Sequence, residues 1–547
     1  MPDKPPPYLL GTERSDTLAS GVALAPRERS GVALAPRARK ILGALTQARM
    51  SDIPYLMASS ESRAIFWSIF RPFILACTAF LLLHSRSLLG PVLFYDDFLI
   101  LAQSRTWQRT WAGLWLPQNE HAMPLGRLFC FGLEVLAGQL PLLPFFTCWV
   151  GPLALLVGLW LLYIFVRREL GHPFYALLAV ILFAVTSVYH QTVWWFAASF
   201  FVLSLDMILL SLLAVQRWRQ TGRRLSLFLC TMACFLAPAW FTWGILAGPL
   251  CCLYLASRQR ALPGGGLSKA SLHCRLAVWL PLVGAALFLA VSLPRTAEAI
   301  LHTSHYEGQT AVEAFHPWIG LQYTARSLVD NLLLGLLGIT GIALPGWCIA
   351  IVLPAVVVLG VWWWRQASDH RLMLLGLGLI GSGYLLCYSA RALWDYQLMV
   401  LPTFARYHLL PHLGLVLFFC GGLPARAGRW FALDAAGTLT ARQCRFLYGL
   451  IGVCFLVQLP RGLLCSSPTG WRQSAQVREQ QAVLRRIEEV DARCRQYHIC
   501  AADARQALGR LNIPLSLDVI DGWEFLIGSD DPHPLPPEEV RRLLEAP

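Results

Sequence analysis

Apolar and polar positions along this chain separate into long blocks rather than a fine alternation. Apolar runs lie at about 70–89, 143–166, 173–190, 194–216, 225–240, 241–257, 275–293, 346–364, 371–389, 407–424 and 444–463. Most approach or exceed the roughly 18–20 residues an α-helix needs to cross a hydrocarbon core of about 30 Å. None shows the two-residue alternation of a membrane β-barrel strand. The pattern predicts an all-α, polytopic membrane protein with about 11 transmembrane helices. Two amphipathic stretches, 125–139 and 321–343, read as interfacial or re-entrant segments.

Basic residues then orient the spans. The N-terminal tail holds Arg27, Arg29, Arg37, Arg39, Lys40 and Arg49. If that side is cytoplasmic, every second gap also falls inside, and those gaps are Arg-rich. Examples are Arg167 and Arg168, then Arg217, Arg219, Arg223 and Arg224, then Arg365 and Arg371. The reading is an integral plasma (inner) membrane protein with its N-terminus in the cytoplasm and its C-terminus outside. Composition agrees, with 56% hydrophobic and 14% charged residues. The net charge of +13 comes largely from these loop clusters, so no nucleic-acid partner is expected.

Three domains follow. Residues 1–60 contain the tandem decapeptides SGVALAPRER and SGVALAPRAR, too short and too rich in Pro and Arg to pack, and read as a disordered tail. Met50 and Met57, both within that tail, are candidate true starts. Residues 61–465 form the transmembrane domain, and 466–547 a small polar C-terminal segment that opens on an amphipathic helix. Cys494 and Cys500 lie in that segment and could pair if it sits in an oxidising compartment.

The chemistry-bearing residues gather in the outer gaps. The first, 90–142, carries FYDDFLI with Asp96 and Asp97, then Glu120, His121 and Arg127. Trp194 and Trp195 mark a short outer turn, and the last outer gap holds Arg391, Asp395, Arg406, Tyr407 and His408. Each residue has a plain structural reading, as belt aromatics or solvated loop charges. Those readings leave unexplained why acids, imidazoles and indoles share one face.

A long first outer loop with an acidic pair directly after the first helix resembles the GT-C superfamily of membrane glycosyltransferases, which includes protein mannosyltransferases and lipid A aminoarabinose transferases. NEHAMPLGRL at 119–128 is similar to a later element of that loop, and ARYHLLPHLGL at 405–415 to a late Arg-Tyr element. The chain departs from some members in lacking a large C-terminal domain. The resemblance implies sugar transfer from a polyprenyl-phosphate-linked donor to a lipid, protein or polysaccharide acceptor at the outer membrane surface. It implies Asp96, Asp97 and Glu120 as catalytic candidates, with Asp96 favoured as base. It implies substrate binding by His121, Arg127, Arg391, Arg406, Tyr407, Trp194 and Trp195. The chemistry suits the residue types: a carboxylate to take the acceptor proton, and guanidinium forks to hold the departing phosphate.

Asp96, Asp97, Glu120 and His121 could in principle make a hard or mixed metal site, but the single-sugar enzymes of the resemblance generally work without a metal, so none is expected. Asp206 lies near the middle of a span, and the reading preferred for it is a structural hydrogen bond. Two other functions stand beside glycosyl transfer: a transporter or lipid flippase, and a non-catalytic membrane scaffold.

Overall fold

The computed structural model describes residues 60–94, 96–117, 121–257, 269–302, 316–339, 344–367, 370–390, 404–423, 438–465, 473–509, 511–514 and 519–545. The tail repeat, Glu120, Arg391 and Asp395 lie outside the described residues. Among the described residues the fold is all-α apart from one two-stranded antiparallel ribbon near the C-terminus.

After α1 (Ser60–Leu83), the first loop folds into α2 (Asp96–Ala102), α3 (Trp107–Ala112) and α4 (Pro124–Ala137). The bundle continues with α5 (Val150–Leu170), α6 (Pro173–Ala184), α7 (Phe196–Thr221), α8 (Arg224–Trp240) and α9 (Ala247–Ala256). It is completed by α10 (Lys269–His302), α11 (Pro317–Arg326), α12 (Gly346–Gln366), α13 (Arg371–Ala390), α14 (Leu409–Gly421) and α15 (Ala441–Cys465). The C-terminal segment contributes α16 (Gln473–Gln496), α17 (Ala501–Leu508), the ribbon β1 (Asn512–Pro514) with β2 (Val519–Asp521), and α18 (Pro537–Glu545).

The expectation of 11 transmembrane helices needs correction. Among the described residues, seven helices are long and apolar enough to cross a membrane. The expected spans at 173–190, 241–257 and 407–424 are helical but cut short, with α6, α9 and α14 holding 12, 10 and 13 residues, and 225–240 is helical throughout as the 17-residue α8 but is not among the seven. Hydropathy registers these as spans because the interrupting residues are themselves apolar or aromatic. The helices break where tertiary contacts replace helical hydrogen bonds. After α6, Gln458 of α15 accepts from the Ser187 N–H and hydroxyl, and donates to the Gly335 and Leu336 carbonyls. Such repair is required wherever backbone leaves the helix at membrane depth. The 321–343 stretch is likewise broken, with a π-helical segment at Ser327–Leu333.

α7 is the central helix. Some 78% of its apolar window is buried, against 6% for α12, whose Trp347, Ile351 and Val358 face outward as a lipid-facing surface would. Its 26 residues rise about 39 Å, the full depth of a bilayer with its interfaces. Both α5 and α7 end on a left-handed glycine, Gly171 at φ 69° and Gly222 at φ 66°. Only a residue without a Cβ takes that conformation cheaply. Arg167, Arg168 and Arg219 occupy the last turns, where cations complement the helix dipole.

At that end Glu169 forms a hub. It accepts from Gln216 Nε2 at 2.9 Å and from the Tyr254 hydroxyl at 2.5 Å, with Arg371 at 3.5 Å and Arg219 at 3.9 Å. The basic end of the bundle is thereby set at the far end of the 26-residue α7 from Phe196, where that helix begins.

Asp206 lies buried where α7 crosses α5. A Cβ placed on Gly158 would fall 2.6 Å from Asp206 Oδ1, so the glycine makes room for the carboxyl. Gly158→Ala should therefore destabilise the bundle by about 1–3 kcal/mol, seen as a lower melting temperature in detergent. Gly132→Ala, where an added methyl meets nothing within 4 Å, should leave the melting temperature unchanged or slightly higher.

Candidate functional site

The first turn of α2 presents Asp96 and Asp97, and successive helical side chains point about 100° apart. The two acids accordingly do different things. Asp97 is fully buried. Its Oδ2 accepts from the Phe94 N–H at 2.8 Å and its Oδ1 from the Ala197 N–H at 2.7 Å. Ala197 sits in the first turn of α7, whose N–H groups lack helical partners, so Asp97 satisfies one of them across the loop. Trp195 Nε1 donates to the Phe94 carbonyl at 3.1 Å and closes the same staple. Burial pushes the Asp97 carboxyl above the usual range, while the two backbone donors pull the other way.

Asp96 turns toward a pocket enclosing about 440 Å³ of empty space, part of it open to the exterior. His121, Trp195, Phe201, Phe241 and Arg406 share its lining. Three of these walls come from points where helices begin or end, while Phe201 lies within α7. Trp195 precedes α7, Phe241 separates α8 from the 3-10 turn Thr242–Leu246, and Arg406 rides the 3-10 turn Ala405–His408 before α14. The breaks at Phe241 and at Ala405–His408 thus help to build the pocket.

Arg406 is held in an aromatic cage. Its guanidinium carbon lies 4.6 Å from the Trp195 and Phe404 ring centres and 4.7 Å from that of Tyr407. Its N–H donates to the Tyr407 hydroxyl at 3.1 Å, and its backbone N–H donates to Gln191 Oε1 at 3.2 Å. Such a cage fixes a cation while leaving most of its five N–H donors for another acceptor. His121 is held just as firmly, with Nδ1 2.7 Å from the Thr242 hydroxyl and its ring centre 4.2 Å from that of Phe241.

The other candidates fall elsewhere. Arg127 is buried away from the pocket, donating to Gln103 Oε1 at 2.7 Å and to the Leu116 carbonyl at 3.1 Å, and so braces the first loop. Trp194 packs edge-on to Phe94 with ring centres 5.6 Å apart and does not line the pocket. Tyr407 is buried and reaches the site through Arg406. Sequence reading passed over Phe201, Phe241, Phe404, Gln191 and Thr242. Their only sequence signal is nearness to the aromatic turns at 190–195 and 240–243 or, for Phe404, to ARYH at 405–408.

The C-terminal segment docks directly on the first loop. Arg105 pairs with Asp491 at 2.7 Å, with both side chains nearly inaccessible, and also donates to the Phe525 carbonyl. Arg109 donates to the Leu526 carbonyl at 2.9 Å, and Phe98 meets Phe525 edge-on with ring centres 5.7 Å apart. Gln480 exchanges hydrogen bonds with the Leu93 backbone at 2.8 and 2.9 Å. The first loop and the C-terminal segment therefore lie on the same side of the bundle. Cys494 and Cys500 are both free thiols, and Cys500 Sγ accepts the Asp503 N–H at the start of α17.

Among the described residues, two groups bring three potential metal ligands within 4.8 Å of one another: Cys230, Cys234 and Cys251, and His498, Asp531 and His533. Neither includes a pocket residue.

No known protein-family model matches the chain, and neither curated proteins nor solved structures provide a match.

Proposed function

We propose that this polytopic membrane protein is a glycosyltransferase of the GT-C kind, moving a sugar from a polyprenyl-phosphate-linked donor to an acceptor at the outer membrane face. The observation that carries this reading is the joint placement of the Asp96 carboxylate and the caged Arg406 in one pocket, at the end of α7 opposite the Glu169 network. In this reading the basic end of the bundle is cytoplasmic, and the pocket and the docked C-terminal segment lie outside.

Each group has a task in this scheme. Asp96 takes the proton of the acceptor hydroxyl as it attacks the anomeric carbon. The bond from that carbon to the donor phosphate oxygen breaks, and Arg406 holds the lipid phosphate that leaves. Trp195, Phe201 and Phe241 offer flat apolar walls to the sugar ring. Asp97 does not touch the reacting atoms in this scheme; it positions α2 and the start of α7 so that Asp96 faces the pocket. No step requires a metal ion.

The test is a panel of radiolabelled polyprenyl-phosphate sugars offered to the protein in nanodiscs. Transfer of label to an acceptor, or slow donor hydrolysis, supports the reading. Donor binding without turnover would favour a carrier. Arg406→Ala should raise KM for the donor about 10- to 100-fold, the worth of one or two charge-assisted hydrogen bonds. Arg406→Lys should recover part of that loss, since a point charge replaces a fork.

A further inference from the structure

The C-terminal segment carries a second cluster that glycosyl transfer does not use. α16 ends at Gln496, and the chain reverses through His498, whose φ of 55° is the one positive value at a non-glycine residue among the described residues. This turn lays residue 498 beside 531–533. The His533 N–H donates to the His498 carbonyl at 2.7 Å, and the two imidazole centres stand 4.9 Å apart. Ligand atoms of His498, Asp531 and His533 all lie within 4.8 Å of one another, and all three residues are exposed.

The hydrogen bonding at His498 suits coordination. Its Nδ1 lies 3.1 Å from the Asp531 backbone carbonyl, which can only accept, so Nδ1 carries the proton. The lone pair then resides on Nε2, and a backbone carbonyl bonded to the far nitrogen is how metal-binding histidines are usually oriented.

We propose that His498, Asp531 and His533 form a binding site for a divalent transition ion of the zinc class. Two imidazoles and one carboxylate are a donor set for zinc, whereas calcium and magnesium select oxygen. Three protein ligands leave a coordination position for water. Binding would tie the end of α16 to the 531–533 segment and close the loop between them. That loop contains Phe525 and Leu526, which hold Arg105 and Arg109 of the first loop. The ion would therefore stiffen the docking of the C-terminal segment. This inference stands independently of the glycosyl-transfer reading.

The buried thiols Cys230, Cys234 and Cys251 are the other candidate ligands, and the experiment separates the two. Full-length protein purified without a polyhistidine tag is stripped with a chelator and titrated with zinc ion against a chromophoric competitor. We expect one equivalent of zinc to bind and raise the melting temperature. His498→Ala and His533→Ala should each weaken binding by at least about tenfold, and the Cys230→Ser/Cys234→Ser/Cys251→Ser variant should bind like the parent. Zinc affinity unchanged in both histidine variants, or no binding by the parent at micromolar zinc, would overturn the proposal.

Discussion

On the proposed glycosyl-transfer mechanism, Asp96→Asn should cut turnover of a polyprenyl-phosphate sugar by about 10²–10⁴-fold while leaving the protein folded. Asparagine is nearly isosteric, so the pocket keeps its shape and the donor still binds, but the group that accepts the proton is gone. Loss of a general base typically costs about 10²–10⁴ in kcat. The matched experiment is Asp97→Ala. Its carboxylate accepts from the Phe94 and Ala197 N–H groups in a fully buried position. Removing it orphans two buried donors, each worth about 1–3 kcal/mol. Asp97→Ala should lower the melting temperature and the yield of folded protein, and any loss of activity should track that loss of fold. Measuring kcat per folded molecule for both variants separates the roles. Full activity per folded molecule in Asp96→Asn would remove Asp96 from the mechanism.

Asp491→Ala should release the C-terminal segment from the first loop. Its carboxylate pairs with Arg105 at 2.7 Å and also accepts from the Ile527 and Gly528 N–H groups at 2.8 and 3.1 Å. Removing one partner of a buried ion pair leaves the other charge unpaired, at a cost of about 3–5 kcal/mol. Limited proteolysis should then cleave between 473 and 545 far faster than in the parent, and hydrogen exchange should rise at 93–109 as well. Arg105→Met in the Asp491→Leu background should recover much of the lost protection, because apolar replacement of both partners removes the unpaired charge. Increased exchange confined to the C-terminal segment would mean that the first loop keeps its shape without it.

The membrane class and the positions of the helices were legible because hydropathy reports solvent directly. Every expected span does contain a helix. Lengths were less legible: α6 stops after Ala184, where Gln458, far away in sequence, takes up the backbone N–H and the hydroxyl of Ser187. A hydropathy window cannot see that substitution. Within the site, the acidic pair, Trp195, His121 and Arg406 could be picked out as types suited to the chemistry. Which of two adjacent acids faces the pocket could not, since that depends on where α7 begins relative to α2. Arg127 illustrates the converse, a motif residue in the right loop that braces the loop itself.

By itself the sequence determined the solvent of each segment, the Arg-rich and Arg-poor faces, and the roster of groups capable of proton transfer and phosphate binding. These are properties of composition and period, carried by each stretch of chain locally. Only the tertiary structure decided that Asp97 is a staple and Asp96 a pocket wall, that three rings cage Arg406, and that the C-terminal segment clamps the first loop. Those outcomes rest largely on contacts between residues 100 to over 400 positions apart, such as Asp97 with Ala197, Trp195 with Arg406 and Arg105 with Phe525. A burial pattern repeated along one helix leaves such pairings open; packing the helices closes them.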